Sequence, residues 1–298
     1  MDQNQWRIMH QSITRATRRL RPDPRQTYSD RLIVAMYFWA VGHDRAMMWA
    51  CDRANYHGLF RPRRLPSVSQ FHRRVKSERV QQILQHVHDD LARVDQPTAT
   101  LVVDGKALVI NPVSRDPDAR WGHTFAKRLG VGYKLHAYST EDQRILCWCV
   151  RPLNEYEAHV ATLLLDWLPP PSERTLILAD GNYDTHDFYK AVSDHGAKLL
   201  TALRREPAKH PVTLRQMGKD RREALRLHEQ KPSLVRMAMR TRPTIERTFA
   251  NATNYGGGLG PLPAFVRRLP RVRRWVGAKI CLYHARLHAR RIAKRTTG

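Results

Sequence analysis

The feature that most constrains this chain is the order of periodic patterns between residues 98 and 203. Thr98 to Val103 is a β-branched run that ends at Asp104-Gly105. Gly132 to Ser139 alternates, with Tyr133, Leu135 and Ala137 set against Lys134, His136 and Tyr138. Arg144 to Val150 reads as a third strand, joined to the second by a turn at Glu141-Asp142. Ala158, Ala161, Leu164, Leu165 and Leu168 then recur at helical spacing until Pro169-Pro170-Pro171 stops them. Thr175 to Ala179 is a short apolar strand ending at Asp180-Gly181, His186 to His195 reads as a helix, and Lys198 to Leu203 as a strand. Three strands, helix, strand, helix, strand predict an α/β fold, a mixed sheet with helices on its faces.

The flanks read differently. Ser29-Asp30 caps a helix through Leu32, Ile33, Met36, Tyr37 and Trp39, and a shorter one runs from Asp44 to Cys51. Ser67 stands three residues before Gln70, a capping-box spacing. Val80, Ile83, Leu84, Val87, Leu91 and Val94 form an apolar stripe, and Gln96-Pro97 marks a boundary. Residues 204–235 are basic and weakly periodic, with Pro207, Pro211 and Pro232, and read as a small insertion or a mobile DNA-contacting segment. A helix from Leu234 or Arg236 to about Tyr255 is stopped at Gly256-Gly257-Gly258, and a last one spans Arg271 to about Lys294. The expected division is a helical region over 1–97, expected to bind DNA, a domain over 98–290 containing the 204–235 insertion, and a basic tail over 291–298. No internal repeat is present.

Charge narrows the partners. The chain carries a formal net +25, distributed as +8 over residues 1–97, −2 over 98–203 and +19 over 204–298. A near-neutral centre between two basic arms suits a polyanion gripped on both sides of an acidic working site. A basic solvated surface or an RNA binder carries the same charge, and charge does not separate DNA from RNA. Cys147 and Cys149 have one residue between them, against the two of zinc and redox pairs, and read with Cys51 and Cys281 as reduced structural thiols. No stretch is apolar enough to span a membrane, and the N-terminus lacks the order of a signal peptide, so a cytoplasmic protein is expected.

Asp104 and Asp180 share one setting, each at the end of an apolar strand and next to a glycine. Strand ends of α/β sheets are where ligands sit, and a carboxylate placed there calls for a cation. Asp-Gly is also a turn dipeptide, and for one such pair alone the turn is the simpler account. Glu246 lies at the edge of a helix face that buries Ile245, Phe249 and Ala252, one turn from Arg242. A surface Arg–Glu pair at i, i+4 is the alternative there. Lys134 and His136 lie on a strand expected to adjoin Asp104. The Gly256–Gly260 run lacks the Lys-Ser or Lys-Thr of a phosphate loop. Asp184 and Asp187 read as caps of a turn and the following helix, and Trp275 as core or as a base-stacking surface.

Val102-Val103-Asp104-Gly105-Lys106, Gly132-Tyr133-Lys134-Leu135-His136, Leu178-Ala179-Asp180-Gly181-Asn182-Tyr183-Asp184 and Thr244-Ile245-Glu246-Arg247-Thr248-Phe249 stand in an order and spacing that resemble the DDE transposases of bacterial insertion sequences, in particular the fourth insertion-sequence family. The tail Asn254 to Pro263 with Leu269 to Arg273 resembles a subgroup of them, and the resemblance covers roughly residues 98–290. It implies a ribonuclease-H-like fold with Asp104, Asp180 and Glu246 as catalytic metal ligands for two Mg²⁺, Mn²⁺ being able to substitute. In the third block of that family, Arg242 and Glu246 match, whereas Met239 stands at the Tyr position and Thr253 at the Lys position. Arg242, Lys134 and Arg247 are the candidate DNA contacts. The resemblance further implies transposon-end and target DNA as partners, a homodimer that pairs two ends, and association with the nucleoid when bound. A DNA-binding relic or repressor without catalysis, and a ribonuclease-H-like nuclease without strand transfer, are the competing functions.

Overall fold

A computed structural model describes residues 2–56, 58–94, 98–124, 128–172, 175–203, 218–255 and 258–297. Its contacts divide the chain into two units, one of residues 1–93 with 252–298 and the other of 94–251.

The first unit is helical. It holds α1 (Gln3–Arg18), α2 (Asp30–Gly42), α3 (Val68–Lys76), α4 (Glu78–Ala92) and α10 (Leu269–Thr297), with 3-10 turns at Met47–Cys51 and Arg53–Asn55. The Ser29 hydroxyl accepts from the Leu32 N–H, as expected of a cap, and Ser67 and Gln70 close a complete capping box. The α4 stripe buries Val80, Ile83, Val87 and Leu91. Trp275 of α10 is 5 % exposed, edge-on to Phe265 and under the Lys279 ammonium, so it packs inside this unit. The division expected from sequence placed most of α10 with the sheet; here residues 252–298 group with the first 93. This unit gathers 28 Lys/Arg against 8 Asp/Glu.

The second unit is built on a mixed six-stranded sheet. Its strands are β1 (Thr100–Val109), β2 (Arg120–His123), β3 (Leu129–Thr140), β4 (Ile145–Pro152), β5 (Leu176–Ala179) and β6 (Lys198–Thr201). The order is β2-β3-β1-β5-β6, with β4 also paired to β3. β1 is antiparallel to β3 and parallel to β5, which is parallel to β6. Helices α5 (Glu157–Leu165) and α6 (His186–Asp194) connect β4 to β5 and β5 to β6, and α7 (Lys219–Gln230), α8 (Pro232–Met239) and α9 (Pro243–Thr253) follow. A buried cluster of Leu101, Val103, Tyr138, Ala161, Leu164, Ile177, Phe188 and Val192 joins the sheet to α5 and α6. Cys147 and Cys149 lie in that same cluster, on one face as their spacing requires, and none of the four cysteines is in a disulfide among the described residues. Among the described residues no helix is long and apolar enough to cross a membrane.

Several local expectations change. Asp104-Gly105 is not a turn: β1 runs on to Val109 because β3 pairs with it from Leu101 to Val109. The short strand β2 has no counterpart in the sequence reading; at four residues, Arg-Trp-Gly-His, it carries too little alternation to register. Of the supposed insertion, residues 204–217 lie outside the described residues, and 219–239 form two helices. Their charged composition hid strong helix formers, and Pro232 sits in the first turn of α8, where a missing N–H costs nothing. The helix expected from Leu234 to Tyr255 is two helices, because Pro243 cannot continue α8 and instead starts α9. Asp184 ends the 3-10 turn over Gly181–Tyr183 as its C-cap residue, and Thr185 rather than Asp187 caps α6; the Asp184 carboxylate takes a bidentate pair from Arg221 of α7 at 2.9 and 3.0 Å.

That pair has side chains only 10 % and 2 % exposed. Removing one partner strands a buried charge, so Asp184→Ala should cost about 3–5 kcal/mol in urea unfolding, whereas Asp184→Leu with Arg221→Met should recover most of it.

Candidate active site

The sheet register places the two aspartates together. Val102 of β1 pairs with Leu178 of β5, and two residues farther along each chain stand Asp104 and Asp180. Asp104 is held within the β1 ladder opposite Ala137, and its Oδ1 accepts from the Gly105 N–H at 2.7 Å. Asp180 lies just beyond β5 and caps a 3-10 turn over Gly181–Tyr183, its Oδ1 accepting from the Asn182 N–H at 2.8 Å. A strand interior fixes the first carboxylate, and a capped strand end fixes the second.

Glu246 comes from elsewhere in the sequence, in the first turn of α9. Its helix buries Ile245, Phe249 and Ala252, and its own side chain is 58 % exposed. The link to the aspartates is Arg242. Nη1 of Arg242 donates to Glu246 at 2.9 Å, while Nη2 stands 4.0 Å from Asp104 Oδ2 and 4.0 Å from Asp180 Oδ2. The i, i+4 pair read from the sequence is therefore present, and the same guanidinium also reaches both aspartates. Arg247, exposed on the same helix, donates to the Thr244 hydroxyl at 3.0 Å.

A fourth carboxylate lies here that the sequence reading passed over. Glu157 opens α5, accepts from Lys134 Nζ at 2.6 Å and from Asn182 Nδ2 at 3.4 Å. The Lys134 and Glu157 side chains are 11 % and 15 % exposed. Gly105 makes room for them: a Cβ there would lie 3.0 Å from Lys134 Cδ and 3.1 Å from Glu157 Oε1. The apolar repeat of α5 begins at Ala158, one residue too late to draw Glu157 in. His136, opposite Gly105 in the register, is fully buried. Burial, with Lys134 and Arg151 nearby, pushes its imidazole down to about 3, so it stays neutral.

The charge is unbalanced toward the negative. Burial pushes the Asp104 carboxyl up to about 7, with Asp180 and Glu157 adding repulsion; the Gly105 N–H and Arg242 only partly offset this. Asp180 is raised for the same first reason, with Glu157 again adding to it. A site that holds carboxylates against such a cost suits a hard divalent cation, which prefers oxygen donors. Among the described residues no three His, Cys, Asp or Glu groups stand close enough to hold a metal as they are. Arg242 is the cation that reaches Asp104, Asp180 and Glu246 together.

A family model described as transposase DDE domain matches residues 95–265. The chain belongs to the transposase DDE domain family. The match covers the sheet, α5 to α9 and all four carboxylates, and membership implies the ribonuclease-H-like fold that the mixed sheet carries. Transposases of this family act on DNA and are in general dependent on a divalent metal. No curated protein matches the chain.

The Asp104 carboxyl binds its proton more tightly folded than unfolded, so its charged form costs stability above pH 7, and that cost fades as the pH falls toward 4. Without metal, Asp104→Asn should therefore stabilise the fold by on the order of 1–3 kcal/mol at pH 8 and by little at pH 4.5. Thermal unfolding in EDTA across that range checks it.

Proposed function

We propose that this chain is a DNA transposase that hydrolyses and transfers phosphodiester bonds through Asp104, Asp180 and Glu246. The observation that carries this is Arg242, whose single guanidinium reaches the three carboxylates from β1, the end of β5 and α9. Three acidic side chains far apart in sequence have no structural need to share one cation.

Asp104, Asp180 and Glu246 would hold two Mg²⁺, or Mn²⁺ in their place. Bound there, the ions would activate the attacking water or 3′-hydroxyl and stabilise the leaving oxygen. The protein's own part is positioning. The β1 ladder and the turn at Asn182 fix the two aspartates. Arg242 makes one short hydrogen bond, to Glu246, and keeps donors for a phosphate of the strand being cut. Arg247 is a second phosphate contact on α9. Lys134, already engaged by Glu157, contributes through its remaining donors.

Residues 1–97 are proposed to bind the transposon ends, with α10 adding to the basic surface of the same unit. Pairing two ends for transfer into target DNA calls for a homodimer. Met239 and Thr253, at the positions where the family's Tyr and Lys stand, favour the second reading, a chain that binds DNA without cutting it.

With Mg²⁺ and DNA carrying its element's ends, the purified chain should cut. Alanine at Asp104, Asp180 or Glu246 should slow cutting about a thousandfold or more while leaving end binding intact. Full cutting by any of these variants would refute the assignment; binding with a steep salt dependence but no cutting by the native chain would establish the second reading. A precleaved end that is not joined to target DNA would leave a nuclease.

A further inference from the structure

We propose that Glu157 is a fourth acidic member of this site, adding its charge to Asp104 and Asp180 in holding the divalent cation, with Lys134 as its built-in counter-ion. This rests on the metal-dependent reading above and goes beyond its three carboxylates.

The placement is specific. Glu157 stands beside the neighbour of each aspartate: Oε1 fills the space that a Cβ at Gly105, next to Asp104, would need, and Oε2 accepts from Asn182, two residues past Asp180. Asn182 also caps back to Asp180 through its N–H, so one residue ties the two carboxylates together. Tyr156, just before Glu157, donates to the Asn182 carbonyl at 3.3 Å and closes the loop. Glu157 raises the cost of charge on both Asp104 and Asp180, which only a group near both does.

A second observation bears on what the site can hold. Tyr183 is fully buried, and its hydroxyl has no hydrogen-bond partner among the described residues. Tyr183 is the last residue of the 3-10 turn that Asp180 caps, and the charges of Glu157, Asp104 and Asp180 add to burial in keeping its phenol protonated. A buried polar group left unsatisfied is costly, and a cation with its bound waters supplies both the charge the carboxylates need and an oxygen for the phenol.

Lys134 explains how Glu157 persists there without metal. Its ammonium lies 2.6 Å from Glu157 and also offsets Asp180. Removing the carboxylate charge and removing the ammonium must then move cation affinity in opposite directions, whereas a pair that only braces the fold moves both the same way.

The test is Mn²⁺ binding to the full chain, measured by calorimetric titration, with melting temperature in EDTA as the control for folding. Glu157→Gln, which keeps the shape and an oxygen for Lys134, should weaken Mn²⁺ roughly tenfold. Lys134→Met should tighten it, even though it lowers the melting temperature in EDTA. Native affinity in Glu157→Gln while Asp104→Asn loses binding would remove Glu157 from the site and leave the three-carboxylate reading standing. Weaker binding in both Glu157→Gln and Lys134→Met would make the pair a brace and overturn the proposal. Native affinity in Asp104→Asn would place the cation elsewhere and take both readings down.

Discussion

The site turns on one guanidinium. Arg242 stands where the chain leaves α8 and enters α9, and it draws Glu246 toward two aspartates fixed by the sheet. Without it, three carboxylates and Glu157 would share one end of the sheet with Lys134, paired to Glu157, as their counter-charge among the described residues. Burial already makes the charged form of Asp104 unfavourable. Such repulsion is tolerable only where a cation can relieve it, and that constraint couples the sheet register, the break at Pro243 and the chemistry.

The sheet explains why the first two carboxylates are held in place. Parallel pairing of β1 and β5 ends at Val102 and Leu178, and the two aspartates follow at equal distance along each chain. Antiparallel pairing with β3 then carries β1 on past Asp104, so this carboxylate is held from one side by a continuous ladder. The third comes on a helix whose start is set by Pro243, with Arg242 the residue before it. An aspartate in a strand, one at a capped strand end and a glutamate on a helix differ in stiffness, the helix residue being the most exposed.

Much of this was legible in the sequence. Alternation in Gly132–Ser139 and the apolar runs before Asp104 and Asp180 predict strands that the structure contains, and Ser67 with Gln70 announces its capping box. What misled was local. Asp-Gly after an apolar run reads as a stop, yet strand β1 continues because a partner twelve residues long lies beside it, which is a non-local fact. The helices α7 and α8 were masked by charge and by a proline that marks a start as readily as a break. Glu157 escaped because nothing near it in sequence marks it; only the fold brings it to Gly105 and Asn182. The grouping of residues 252–298 with the first 93 was equally invisible, since periodicity says which face a helix buries but not against what.

The most direct measurement is to load the chain with Fe²⁺ in place of Mg²⁺, start hydroxyl-radical chemistry with peroxide and ascorbate, and map the backbone cuts. A metal held by Asp104, Asp180 and Glu246 predicts three clusters of cuts, around residues 104, 180 and 246, all suppressed by excess Mg²⁺. Cuts confined to other segments, or a pattern in which the cluster at 246 is missing while the other two persist, would contradict the account.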